Sequence, residues 1–373
     1  MNDKNKNIAV IFVFIIIIFG LLIVNIFKSP VEVSKSERRR LAQFPTISFE
    51  TVFNGKFMTD FEDYSLDQFV VRDTFRNIKA LVSFNLFKKK DNNNIYFAEG
   101  HVSKYYTDLK EAEIKGAAKK FNLLYNKYLK DMNVYYSIIP DKNYYLANKN
   151  GYPTVNYGNL FSWIKDGMND NIKYIDLTKI LYVDDYYTTD IHWKQEKLFK
   201  VVSKYADVMG FNVSGEYEEN VLEPFYGVYY GQSALPIPGE KLIYLTNEQL
   251  NNIKVFELDT DTLEMVPGEL YYTEGFSGTD SYDVFLEGAK PLFIIENENA
   301  TTDKELILFR DSFGSSLAPL LAEGYRKITV IDLRYIATPI LEQYDLVDFK
   351  DGQDVLILYS TEVLNNSSIL KVM

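Results

Sequence analysis

Cysteine is absent from this 373-residue chain. Its absence removes disulfides, thiolate metal sites and a cysteine nucleophile together, while leaving the cellular compartment open. Histidine is almost as scarce. With only two, His101 and His192, a zinc site would have to lean on carboxylates, and neither a metal nor an organic cofactor is expected. Positive charge is in deficit too. A net charge of −12 offers no basic face for nucleic acid. Charged residues nevertheless make up 25% of the chain, a globular balance and not a disordered one. No internal repeat is visible. Tyrosine and phenylalanine are plentiful; aromatic rings can stack on sugars, but the coding bias of an Asn-, Lys-, Ile- and Tyr-rich chain is the better account of them.

The most conspicuous segment present is Ile8 to Phe27, an apolar run broken only by Gly20 and Asn25. As a helix rising about 1.5 Å per residue it reaches roughly 30 Å, one hydrocarbon thickness. It leads into Phe27-Lys28-Ser29-Pro30 without a small-x-small cleavage site, so an uncleaved signal anchor is expected. Lys4 and Lys6 precede the run; Lys28, Lys35, Arg38, Arg39 and Arg40 follow it. A plain positive-inside count therefore puts the large domain in the cytoplasm.

The chain divides into a tail and anchor (1–28), a linker (29–47) and one large domain (48–373). Within that domain, 211–300 reads as an inserted β-rich subdomain, with β-type runs such as Tyr226-Gly227-Val228-Tyr229-Tyr230. Residues 48–88 read as helical, since Phe53, Phe57, Phe61 and Tyr64 recur at helical steps. A hairpin is expected over Asn92–Tyr106. Asp108 to Glu111 has the form of a capping box before a helical stripe. Strands are then expected at Val134–Ile139, Ile172–Ile175, Glu305–Phe309, Lys327–Ile331 and Val355–Tyr359. Helices at 157–168, 194–208, 315–324 and 339–347 alternate with them. Such alternation predicts an α/β fold, a parallel sheet covered on both faces.

Two segments carry chemistry. In Leu306 to Ser315, a buried-type strand runs straight into a turn at Asp311-Ser312 and then a helix. Beyond the carboxyl end of a parallel strand, a serine hydroxyl stands where ligands bind, with helix-start N–H groups able to hold an oxyanion. From that segment alone an N-cap is the better reading. The second segment, Tyr186 to Trp193, places Asp190 two residues before His192. In an extended stretch both side chains share a face, so Asp190 can hold Nδ1 and leave Nε2 to take the proton of Ser312. Asp190, His192 and Ser312 together complete a triad that neither segment makes alone. Asp141 and Lys142, just past the strand that stops at Pro140, are candidates to line the site. So is Arg334, although Arg334 and Arg72 read equally as structural ion pairs. His101, after a glycine in the hairpin, reads as a surface residue.

Thr189-Asp190-Ile191-His192-Trp193 resembles the motif that names the DHHW family, with Ile191 in place of its first histidine. Arg310-Asp311-Ser312-Phe313, Ile328 to Tyr335, Glu37 to Ala42 and Asp67 to Arg72 resemble that family too. The likeness covers nearly everything after residue 36. The family is similar to the SGNH-like O-acetyltransferases of alginate and other exopolysaccharides. The resemblance implies an SGNH-like three-layer α/β/α sandwich, with Asp190, His192 and Ser312 as catalytic triad. It further implies acetyl transfer to a polysaccharide, an acyl donor delivered through a membrane-bound O-acyltransferase partner, and an extracytoplasmic domain on a single-pass anchor, against the basic count. A carbohydrate esterase with the same triad, and a non-catalytic tethered glycan-binding protein, remain alternatives. The Gly-Gly-Asn pattern expected before the serine strand appears only as Gly288-Ala289-Lys290, so no side-chain oxyanion donor is named.

Overall fold

The computed structural model describes residues 3–34, 36–277 and 280–372. Lys35 of the basic count, Gly278 and Thr279 of the 211–300 stretch, and Met1, Asn2 and Met373 lie outside the described residues. Two compact units form, Met1–Asn92 with Tyr230–Ile237, and Asn93–Tyr229 with Pro238–Met373.

The first unit holds helices α1 (Asp3–Phe27), α2 (Phe49–Phe53), α3 (Lys56–Asp67) and α4 (Arg72–Leu81), and the paired short strands β1 (Val33–Ser34) and β2 (Arg39–Arg40). Helix α1 is long and apolar enough to cross a membrane and buries none of its residues. The helical expectation for 48–88 resolves into separate pieces for local reasons. Ser48 and Thr51 form a reciprocal capping box that starts α2. Gly55, at φ +80°, reverses the chain between α2 and α3. Helix α4 continues into a π-helical turn, Val82–Leu86.

In the second unit the strands are β3 (Ile95–Ala98), β4 (His101–Lys104), β5 (Asn133–Ile139), β6 (Lys173–Tyr174), β7 (Glu218–Phe225), β8 (Glu240–Thr246), β9 (Lys254–Leu258), β10 (Met265–Gly268), β11 (Leu292–Glu296), β12 (Glu305–Arg310), β13 (Lys327–Ile331) and β14 (Asp354–Ser360). Its helices are α5 (Glu111–Leu124), α6 (Lys142–Leu146), α7 (Tyr157–Gly167), α8 (Phe199–Met209), α9 (Val228–Ser233, whose end belongs to the first unit), α10 (Phe313–Leu321), α11 (Thr338–Gln343) and α12 (Thr361–Leu364). Eight strands make one sheet in the order β10-β9-β11-β13-β12-β14-β5-β6. Successive strand residues point to opposite faces. Leu306, Leu308, Leu356 and Leu358 accordingly join one core with α8 and α10. Ile307, Phe309, Val355 and Ile357 join another with α5 and α7. Both faces of the sheet are thereby covered, and the architecture is α/β.

The sheet is mixed, which corrects the expectation of a parallel one. From β13 to β6 the pairings are parallel, whereas β11, β9 and β10 add on antiparallel. These three edge strands come from the 211–300 stretch, which also supplies the separate hairpin β7–β8. Parallel strands need helical crossovers. The short loop between β9 and β10 can only reverse direction, which makes that pair antiparallel. Two local readings also change. The run Tyr226–Tyr230 is not a strand, because Val228 opens α9. Helix α5 has no side-chain cap from Asp108; Lys110 N–H donates instead to Asn365 Oδ1 at 2.8 Å, and Asn365 Nδ2 donates to Asp108 O at 2.9 Å.

Candidate active site

Parallel strands β12, β14, β5 and β13 carry the residues just past their carboxyl ends into one region: Ser312, Glu362, Asp141 with Lys142, and Arg334. A cleft of about 650 Å³ opens there, and all five residues line it, as expected of parallel α/β sheets.

Ser312 is the residue before α10. Its Oγ lies 2.8 Å from His192 Nε2, and His192 Nδ1 lies 2.6 Å from Asp190 Oδ1. Asp190 and His192 are buried, so the pairing is withdrawn from water. The supporting loop is not the extended stretch that the sequence suggests. Tyr186 and Trp193 pair to close a bend, Tyr187 N–H donates to His192 O at 3.1 Å, and Asp190 Oδ1 also accepts the His192 N–H at 3.0 Å. A short carboxylate bonding its own backbone two residues on is an Asx turn, and it brings the imidazole back over the same carboxylate.

Residues that sequence reasoning missed hold this arrangement. Val228 N–H donates to Asp190 Oδ2 at 2.9 Å, and Gly227 N–H to Thr189 Oγ1 at 2.9 Å. The approach is so close that a Cβ on Gly227 would lie 2.4 Å from Asp190 Cα. Glu240 accepts the N–H groups of Thr188 and Thr189. The Tyr282 ring stacks on His192 at 3.8 Å with 5° between planes, and its hydroxyl donates to Ser316 Oγ at 2.8 Å. Trp193 Nε1 donates to Phe313 O and Ser316 Oγ, both at 3.0 Å. Only the Asp-x-His-Trp spacing marked any of these in advance; Tyr282, Glu240 and Gly227 carried no local signal.

Asp311 ties the serine turn to the sheet, its carboxylate accepting Phe313 N–H at 3.1 Å and Ser360 N–H at 2.7 Å. Gly314 N–H donates to Asp311 O. The helix start thus spends on itself donors that the sequence offered to an oxyanion. Among the described residues, no acceptor is seen for the Ser312 N–H. Gly288-Ala289-Lys290 precedes β11 and does not line the cleft.

The other expected site residues have distinct surroundings. Asp141 caps α6 and accepts the hydroxyls of Tyr106 (2.8 Å), Tyr157 (2.6 Å) and Thr361 (2.7 Å). Lys142 Nζ donates to the carbonyls of Val102, Tyr187 (3.1 Å) and Thr188 (3.1 Å). Burial pushes its pKa down to about 7, although Asp190 and Glu240 act in the opposite sense. Both side chains spend their polar groups within the wall of the cleft. Arg334 pairs with Asp332 through Nε and Nη2, at 2.9 and 2.6 Å, while lining the cleft. Glu362 faces the cleft with no hydrogen bond among the described residues. The enclosing walls of the cleft, with Asp141 and Asp311, raise its carboxyl above the usual range, although the side chain stays exposed to solvent. Arg72 does not line the cleft; it belongs to the first unit, 2.5 Å from Glu37. His101 is a correction, buried at 5% exposure with Nε2 at 3.4 Å from Asp184 Oδ1. The β3–β4 hairpin folds inward, Val102 N–H donating to Thr188 O at 2.9 Å. Burial and the Lys142 charge lower the His101 pKa. Among the described residues no group of three His, Asp or Glu is arranged to hold a metal ion.

No protein-family model matches this chain, and neither does any curated protein sequence. Solved structures do. A DHHW family protein from Eubacterium siraeum DSM 15702 superposes with a TM-score of 0.60 at 17% identity, covering 75% of this chain and 94% of its own. The chain shares the fold of a DHHW family protein. Bacillus cereus PatB1 superposes with a TM-score of 0.59 at 20% identity, covering 73% of this chain and 97% of its own. A second PatB1 structure, carrying a sulfonyl adduct, gives a TM-score of 0.57 at 20% identity, covering 72% and 95%.

Proposed function

We propose that this protein is a serine-dependent O-acetyltransferase with an SGNH-like α/β/α domain, anchored through residues 8–27 and acting outside the cytoplasm on a polysaccharide. The observation that carries the proposal is the unbroken chain of hydrogen bonds from Ser312 through His192 to Asp190, opening on a cleft of about 650 Å³. A serine hydroxyl is a weak nucleophile until an adjacent base takes its proton, and a base performs best when a third group fixes its tautomer.

In the first half-reaction, His192 Nε2 accepts the Ser312 proton as Oγ attacks the acetyl carbonyl of the donor. The tetrahedral oxyanion is met by the Ser312 N–H, and the imidazolium returns the proton to the leaving group. In the second, His192 takes a proton from a sugar hydroxyl, which attacks the acetyl-serine; the sugar leaves as its acetyl ester and Ser312 regains its proton. Asp190 remains ionised throughout and holds Nδ1–H. The acyl donor reaches the site through a membrane-bound O-acyltransferase partner. Arg334 and Glu362, whose polar groups face the cleft, contact the substrates; Asp141 and Lys142 shape the wall.

PatB1, of the same fold, has been seen with a sulfonyl adduct, and sulfonyl fluorides react with activated hydroxyls. The purified protein should therefore take up one sulfonyl group on Ser312, seen by mass spectrometry, and Ser312→Ala none. With an activated acetyl ester and an oligosaccharide, wild type should yield acetylated sugar. Asp190→Asn should lose on the order of 10⁴ in rate if the serine-protease precedent transfers. Free acetate without acetylated sugar would make the protein an esterase. Full activity in folded Ser312→Ala would leave a tethered binding protein.

A further inference from the structure

Helix α4 is inside out. Its two arginines point into the first unit, where Arg72 lies 2.5 Å and Arg76 3.2 Å from Glu37, and Arg76 also donates to Gly231 O at 2.7 Å, while Asp73 and Lys79 stay exposed. Arg39 reaches the same acidic pair, 3.3 Å from Glu37 and 2.5 Å from Asp67. Burial alone would raise the Glu37 carboxyl, but the three arginines hold it below its usual range. The apolar residues face outward instead. Val71 at the N-cap, Phe75 and Ile78 follow one another at steps of four and three, and with Leu81, Leu86 and Phe87 they are between 37% and 70% exposed. An apolar stripe of this kind marks an interaction surface.

Its position says what covers it. The elbow between α3 and α4 is bonded to the final turns of the apolar helix α1. Val70 N–H donates to Asn25 Oδ1 at 2.7 Å, Lys28 Nζ donates to Gln68 O at 3.1 Å, and the Gln68 side chain exchanges hydrogen bonds of 2.9 and 2.8 Å with Val31. The N-terminal end of α4 therefore lies near the headgroup level wherever α1 spans. Exposed Lys79 and Lys88, Lys89 and Lys90 flank the stripe, the composition of a helix lying in a lipid interface.

We propose that α4 and the π-helical turn after it form a second membrane contact, the outward stripe seated in the headgroup region of the bilayer that α1 crosses. This rests on the anchor reading of α1 and is independent of the triad. The contact gives the first unit two attachments, one spanning and one lying flat.

The natural absence of cysteine makes the test direct. Phe75→Cys, Ile78→Cys and Leu86→Cys in the full chain are spin-labelled in phosphatidylcholine–phosphatidylglycerol nanodiscs, with Ile16→Cys as reference in α1 and Lys130→Cys as reference in water. Accessibility to oxygen and to a water-soluble nickel chelate is then read. The stripe labels should show an oxygen-to-nickel ratio several-fold above that of Lys130→Cys, approaching that of Ile16→Cys. Stripe labels as open to nickel as Lys130→Cys, beside a lipid-buried Ile16→Cys, overturn the interface proposal alone. Labels closed to both reagents overturn it in favour of a protein partner. A water-exposed Ile16→Cys overturns the anchor reading and this proposal with it.

Discussion

Lys142 carries an electrostatic cost that its neighbours offset only in part. Its amine is buried among three backbone carbonyls, and the loss of water lowers its pKa from 10.5 to about 7. Between those values the unfolded chain binds a proton that the folded one does not, so stability should rise with pH from about 7 to about 10. Below about 7 both states carry the charge and the full cost is present. Lys142→Met, followed by thermal melting in detergent at pH 6.5 and pH 9, should abolish this lysine's share of the rise. It should also leave carbonyls unsatisfied, at about 1–3 kcal/mol for each buried orphan. An unchanged slope in the variant would show that other groups set the pH dependence.

Among the elements, the meeting of the 187–192 bend with the start of α9 is the most demanding. Gly227 lies against Asp190 with no room for a Cβ, and the N–H groups of Gly227 and Val228 bond to Thr189 and Asp190. Gly227→Ala must push the bend away. The overpacking should cost about 1–3 kcal/mol, and a displacement of the base by about 1 Å can cost on the order of 10²-fold in rate. We therefore expect Gly227→Ala to melt lower yet fold, while kcat/KM on an activated acetyl ester falls by about that factor. A variant with wild-type kinetics would mean that the bend keeps its triad geometry without these two bonds.

At the scale of the whole molecule the open contest is between charge and chemistry. The basic residues after α1 direct the domain inward; the proposed polysaccharide acetylation requires it outside. In the folded chain Arg39, one of the residues counted, is drawn into ion pairs with Glu37 and Asp67. Insertion nevertheless precedes folding, so the pairs do not cancel the count. Protease added to intact cells should degrade the chain beyond residue 30. Protection until lysis would place the domain in the cytoplasm and remove its polysaccharide acceptor.

Some of this was written in local sequence. Hydrophobic period and chain breakers marked β5, β12, β13 and β14 to within a residue or so, because burial of a strand between two helical layers demands a continuous apolar run. The apolar length of α1 needs no context either. Asp190 and His192 were legible as a pair because a two-residue spacing constrains both side chains. Tertiary structure decided the rest. The β9–β10 reversal depends on loop reach, His101 is buried by where its hairpin folds, and Asn365 bonds the residue before α5 from the far end of the chain. The same holds for the ring on His192 and the amides on Asp190, since Tyr282 and Gly227 become neighbours of these residues only after distant segments pack. Composition and period encode how each segment meets water and its own backbone; which segments then meet one another is settled by packing, and the geometry of the candidate site belongs to that second level.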